Sequence, residues 1–166
     1  MGVKQLLRCP RAVLATAALA VSLAAAQPGA SAGSAPLEGT RVIETALSFA
    51  ALWDRLKQAI QANGMGLVAQ ACASCGAKAR GVTIPGNAVV MVFRSDFAVR
   101  MLEASVAAGV EAPLRFYLTE TADGTATLAF RTPSAIFAPY ESAKLDAMAQ
   151  ELDAIWESIV RDTLKN

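Results

Sequence analysis

Apolar positions along this chain follow two rhythms, and one unbroken run stands between them. Ala88-Val-Val-Met-Val-Phe93 has the length and character of a strand buried on both faces. Upstream, Thr40 to Leu47 alternates loosely and predicts a first strand. Ser48 then caps a helix that carries Phe49, Leu52, Trp53, Leu56 and Ile60 on one face and stops at Asn63-Gly64. Met65 to Ala71 predicts a second short strand. Cys72-Ala-Ser-Cys75 leads into a helix of about two turns ending by Gly81, and Pro85-Gly86 turns the chain into the buried strand. Downstream, Ser95-Asp96 predicts the cap of a helix running to about Ala107, with Phe97, Met101, Leu102 and Val106 at helical spacing. Glu111 to Glu120 alternates as a strand, Asp123-Gly124 turns, and Thr125 to Arg131 forms a partner strand that ends at Pro133. From Ala143, Leu145, Met148, Leu152, Ile155, Trp156, Ile159 and Leu164 recur every three or four residues and predict a long C-terminal helix.

The register of the hairpin follows from its side chains. A two-residue Asp123-Gly124 loop would set Phe116 against Arg131 and mix core with solvent positions on each side of the sheet. A three-residue loop, Ala122 to Gly124 with Gly124 left-handed, shifts the pairing by one. Phe116 then faces Phe130 and Leu118 faces Leu128, giving one apolar face. The other face receives Arg115 opposite Arg131, with Tyr117 beside them. The expected fold is a single α+β domain, a mostly antiparallel sheet with helices packed on one face and a long amphipathic C-terminal helix.

The first forty residues have a different character. Lys4, Arg8 and Arg11 precede an uncharged apolar run from Ala12 to Ala26, and Ala24-Ala25-Ala26 supplies small residues before Gln27. That is the order of a secretory signal, residues 1–26, with cleavage expected after Ala26 and a second candidate at Ala32. About 15 apolar residues fall short of the roughly 20 that a membrane span needs. Residues 27–39, rich in Pro, Gly, Ser and Ala, read as a flexible linker, and 40–166 as the domain. Cleavage removes three of the fifteen basic residues and leaves twelve against fourteen acidic ones, a formal charge of −2. No basic stripe remains, so nucleic acid is not an expected partner. After cleavage nothing tethers the chain to a membrane, and the expected location is the periplasm or the medium.

The chain has no histidine. That removes His acid–base chemistry, Ser-His-Asp and Cys-His nucleophile pairs, and His metal sites. Gly64-Met-Gly66 lacks the rest of any nucleotide fingerprint.

Several segments resemble, in order, the family catalogued as domain of unknown function 302. Ser48-Phe49 opens a helix leaving through Asn63-Gly64-Met65-Gly66, similar to that family's first helix and its exit. Gly76-Ala-Lys-Ala79 resembles a run in its short helix, and Val92-Phe93 the strand that ends in its Phe-x-Asn-Pro. Gly109-Val-Glu-Ala-Pro-Leu-Arg115 is similar to the family's Gly-Ile-Asp-Leu-Pro-Leu-Arg, and Asp123-Gly124 with Phe130-Arg-Thr-Pro133 to its last strand. The chain departs from the pattern in carrying Ser95-Asp96 for Asn-Pro, Arg131-Thr132 for Asn-Asp, and Ala73 where many relatives have histidine. The resemblance implies a compact α+β fold and brings no established activity.

Two constellations remain. Cys72 and Cys75 are the cysteines left after removal of Cys9 with the signal. A disulfide is their first expectation in an oxidising compartment. The alternatives are a redox-active pair, or a soft-metal site of copper(I) type completed by Met65, Met91 or a second subunit. Gly76 after Cys75 excludes a haem-attachment motif. Arg115 and Arg131 repel across a strand pair unless something negative lies near. Glu44, Glu120 or a loop carboxylate, or screening by water, is the ordinary answer; a small anionic ligand or a protein partner docking beside Tyr117 is the functional one. Trp53, Trp156 and the methionines read as core, and nothing marks Asp96 and Glu103 as a catalytic pair. The reading is an exported, noncatalytic binding module with no cofactor and no metal assigned, and a homodimer is compatible with a strand that needs cover on both faces. A thiol–disulfide or soft-metal role for Cys72 and Cys75 is the second reading.

Overall fold

The fold is that of a computed structural model, which describes residues 37–165. The expected signal segment, its cleavage site after Ala26 and most of the linker lie outside the described residues. The elements run β1 (Thr40–Ser48), α1 (Phe49–Ala62), β2 (Gly66–Cys72), α2 (Ala73–Ala79), β3 (Asn87–Phe93), α3 (Ser95–Ala104), β4 (Leu114–Glu120), β5 (Thr125–Arg131), α4 (Pro133–Phe137) and α5 (Ala143–Leu164).

All five strands form one sheet in the order β1-β5-β4-β3-β2, and every neighbouring pair is antiparallel. The expected hairpin register is the observed one. Leu118 pairs with Leu128 and Tyr117 with Ala129. Continued along the strands, this brings the Phe116 and Phe130 rings edge to face with centroids 5.3 Å apart. Gly124 has φ +83°, the left-handed conformation that a three-residue loop requires at its last position. Asp123 organises the same turn: its Oδ1 accepts from the Thr121 hydroxyl at 2.5 Å, the Thr125 hydroxyl at 2.7 Å and the Thr125 N–H at 3.0 Å.

The core lies on one side of the sheet, because alternate strand residues point there and the apolar faces of α1, α3 and α5 cover them. Leu52, Leu56 and Ile60 of α1 meet Met148, Leu152, Trp156 and Ile159 of α5 over Val90, Phe116, Leu118 and Leu128. The Trp156 ring stacks on Phe116 at 5.3 Å with an interplanar angle of 17°. Ser48 caps α1 as expected, its hydroxyl accepting the Ala51 N–H at 3.3 Å. At the rim, Arg100 of α3 forms a two-pronged bond to Glu151 of α5, both contacts at 2.7 Å.

Three expectations fail locally. First, α3 is shorter and differently capped. Arg94 occupies the cap position without a side-chain cap, and Ser95 and Asp96 lie inside the helix. Asp96 acts there as a first-turn charge, gripped by Arg94 Nε at 2.8 Å. That hydrogen bond, with the charge of Arg94, holds its carboxyl below the ordinary range. Ser105 turns extended and ends the helix, so Leu102 and Val106 stay 46% and 79% exposed while Phe97 and Met101 are buried. The chain continues as a 3-10 turn, Ala107–Glu111, passing a cis Ala112–Pro113 bond. Second, β4 begins at Leu114 rather than Glu111. Third, Pro133 starts a helix instead of merely ending a strand. The Thr132 hydroxyl accepts the Ala135 N–H at 3.3 Å, and Pro133 and Phe137 bury their side chains.

Candidate functional site at the open sheet face

Among the described residues no layer of helices comparable to the first covers the second face of the sheet, so β3 is not buried on both faces as its unbroken apolar run predicted: Val90 and Val92 are buried, Val89 and Met91 only half-buried. β4 sends Arg115 and Tyr117 to it, β3 sends Val89 and Met91, and β5 sends Ala129 and Arg131. At the end where β4 starts and β5 finishes, this face deepens into a cavity of about 290 Å³. Its walls are Leu37 before β1, Ile136 of α4, Leu114, Val89 and Ala129; its polar groups come from Arg115, Arg131, Tyr117, Thr40 and Glu111.

The segment before β1 is held against α4 to make one wall. Gly39 has φ +75°, and a Cβ there would lie 2.0 Å from the Ala135 Cβ, so this close approach requires glycine. Its carbonyl accepts the Thr132 N–H at 2.9 Å. Arg131 completes the clamp, its Nη2 donating to the Ala135 carbonyl at 3.0 Å and its Nε to the Glu38 carbonyl at 3.4 Å.

The structure therefore brings the three expected residues to one cavity and separates the roles of the two arginines. Arg131 is spent largely on backbone carbonyls. Arg115 stands across from Met91 on β3, exposed, and among the described residues it makes no side-chain hydrogen bond and no ion pair. The expected counter-ions are elsewhere. Glu44 lies across from Thr127 toward the other end of the strands, and Glu120 accepts the Gly86 N–H at 2.6 Å. The carboxylate at the cavity is Glu111, which takes a hydrogen bond from the Tyr140 hydroxyl at 2.9 Å and thereby raises the phenol's pKa. Tyr117 is 39% exposed, and its hydroxyl accepts from Asn87 Nδ2 at 2.5 Å, which fixes the ring beside Arg115. The polar lining is thus two guanidinium groups, one carboxylate and two hydroxyls over an apolar floor.

Cys72 closes β2 and Cys75 sits in the first turn of α2; the two are joined as a disulfide with Cα atoms 5.2 Å apart. Met65, named above as a soft ligand, is sealed in the core before β2, and Met91 lies opposite Ala69, three residues along from the Cys72–Ala88 pair. Neither is gathered at the cysteines. Among the described residues no group of three or more His, Cys, Asp or Glu side chains is arranged to hold a metal ion.

The family model for "Domain of unknown function DUF302" matches residues 41–162. The chain belongs to this family. In three dimensions the DUF302 domain is similar to the crystal structure of an uncharacterized conserved DUF302 protein from Bacillus stearothermophilus. That likeness has a TM-score of 0.68 at 14% sequence identity, and covers 77% of this chain and 99% of that one. At such identity it shows the fold alone. No curated protein matches the chain. No helix among the described residues is long and apolar enough to cross a membrane.

Sequence reasoning found the residues that the DUF302 hairpin itself contributes to the cavity and missed those delivered from outside it. Glu111 and Tyr140 come from 3-10 turns, and Leu37 and Ile136 flank the clamp made by Gly39 and Arg131. A usable signal existed for α4: Thr132 followed by Pro133 is a cap residue followed by a first-turn proline. Of the tryptophans expected in the core, Trp156 is buried with its indole N–H unpartnered, whereas Trp53 is half-buried and donates to Gln70 Oε1 at 2.9 Å.

Proposed function

We propose that this DUF302 domain is an exported, noncatalytic binding module that holds a small organic anion at the open sheet face. The observation that carries the reading is Arg115: a guanidinium at the mouth of a cavity with apolar walls, without a carboxylate partner among the described residues. A planar guanidinium presents two parallel N–H donors to a carboxylate, which gives both attraction and orientation. Tyr117 lies alongside, and Val89, Leu114 and Ala129 supply a surface for a hydrocarbon body. Two arginines against Glu111 leave one unit of positive charge at the cavity, which favours a monocarboxylate over a multiply charged anion. Catalysis has little support, because the chain has no histidine and Glu111 is already engaged by Tyr140. Export rests on the basic, apolar and small-residue order of residues 1–26.

Thermal shift with a panel of monocarboxylates of increasing chain length, plus phosphate and sulfate, tests the reading. Longer monocarboxylates are expected to raise the melting temperature of the wild type most. Arg115→Ala is expected to abolish that response while leaving the unliganded melting temperature in place. A response that survives Arg115→Ala in full places the ligand elsewhere and removes the site.

A further inference from the structure

The Cys72–Cys75 pair has no part in anion binding and belongs to a different place in the fold. It lies where the edge strand β2 passes into α2, and its two sulfurs have unequal surroundings. Cys72 is half-buried, and its Sγ accepts the backbone N–H of Cys75 at 3.0 Å. The Ser74 hydroxyl lies 3.5 Å from the same sulfur and is itself held by the Asn87 N–H at 3.1 Å. The Ser74 hydroxyl shares its one proton with the Asn87 carbonyl, also 3.5 Å away, so the Cys75 N–H is the donor that favours negative charge on Cys72 Sγ. Cys75 is exposed and opens on a groove of about 420 Å³ shared with Lys78, Val82 and Ile84. Val82 and Ile84 are 53% and 40% exposed, so the groove offers an apolar landing surface with one cation. A cross-link between residues three apart closes a very short loop and constrains the unfolded chain little, which makes it a weak staple.

We propose that Cys72–Cys75 is an exchangeable disulfide that oxidises the dithiol of a partner protein, with Cys75 Sγ the sulfur attacked and Cys72 Sγ the leaving thiolate. One partner thiolate attacks Cys75 Sγ, the Cys72–Cys75 bond breaks, and its electron pair leaves on Cys72. A mixed disulfide to Cys75 results. The partner's second thiolate then attacks the partner sulfur of that bond and releases Cys75 as thiolate. Two electrons have passed to this chain, the partner holds a disulfide, and the two protons of its thiols have gone to solvent or to the released cysteines. Lys78 attracts the incoming thiolate, and Val82 and Ile84 take apolar residues flanking it. The partner fitted by this surface is a protein segment with a dithiol between apolar residues and no excess of positive charge.

The test uses the full chain in its oxidised form and reduced glutathione as the attacking thiol, with acid quenching and peptide mass mapping. The adduct is expected on Cys75 in about tenfold excess over Cys72, since the exposed sulfur is attacked and the better-stabilised thiolate leaves. The pair is expected to titrate between oxidised and reduced forms across glutathione buffers, with circular dichroism unchanged on reduction. Lys78→Glu is expected to slow the attack several-fold without moving the melting temperature. A disulfide that stays intact in excess reduced glutathione overturns the proposal. So does an adduct shared evenly or favouring Cys72, or a fold lost on reduction.

Discussion

The two faces of the single sheet are built from the same strands, one residue apart, and have opposite duties. Phe116, Leu118 and Leu128 point under the helices and are fully buried; Arg115, Tyr117 and Ala129 point the other way. Burying a large apolar side chain is worth roughly 1.5–3 kcal/mol, and an aromatic pair such as Phe116 with Phe130 adds about 0.5–1.5 kcal/mol beyond area. The open face gains little of this, so substitutions among its residues cost the fold little. Because side chains alternate with period two, a slip of one residue in the hairpin would put Arg115 under the helices and Phe116 in water. One turn thus decides both the stability of the domain and the composition of its site.

The contrast breaks most visibly by truncation at neighbouring positions. Phe116→Ala is expected to cost about 3–5 kcal/mol in denaturant unfolding, because the ring is packed against Phe130 and Trp156 and leaves a cavity. Arg115→Ala, one residue earlier, is expected to stay within about 0.5 kcal/mol of wild type. Comparable losses at the two positions would show that the open face carries packing of its own. A smaller effect probes the turn that sets the register. Gly124→Ala meets no atom within 4 Å, so its cost is purely the left-handed backbone, about 1 kcal/mol in the same assay. A neutral result would mean that the loop relaxes without strain and that the strands themselves hold the register.

The smallest effect is a pH dependence. The hydroxyl of Thr121, followed by the side chain and N–H of Thr125, depresses the Asp123 carboxyl from 3.8 to about 2. A depressed carboxyl contributes stability that is present above its ordinary value and lost as pH falls from there toward about 2. Asp123→Asn is therefore expected to flatten the acid limb of the stability profile in that window and leave the profile's shape at neutral pH unchanged. An acid limb identical to that of the wild type would mean that these donors satisfy the protonated acid equally well.

The covered face was largely legible in the sequence because its signals are periodic and local. Leu145 to Leu164 marks α5 by helical spacing, and Asp123-Gly124 with two alternating strands admits one register that keeps the apolar residues together. Local rules failed where apolar character did not mean burial. Leu102 and Val106 continue a helical pattern, yet Ser105 breaks the helix and both stay in solvent. On the open face, Arg115, Tyr117 and Arg131 followed from the register alone. The partners of Arg131 did not, because backbone carbonyls of Glu38 and Ala135 reach it only once β1 lies along β5 and α4 folds back. Contacts of that kind have no spacing to read.

The pairing of β1 with β5 joins the first strand of the domain to the last. Thr40 and its mate Arg131 stand about ninety residues apart, so closing this edge costs the loop entropy of most of the domain. A chain cut off before β5 would leave β1 with no strand to pair with, because β5 is its one neighbour in the sheet. The cavity wall before β1 depends on the same closure, since Leu37 and Gly39 are carried to α4 only when β1 lies along β5.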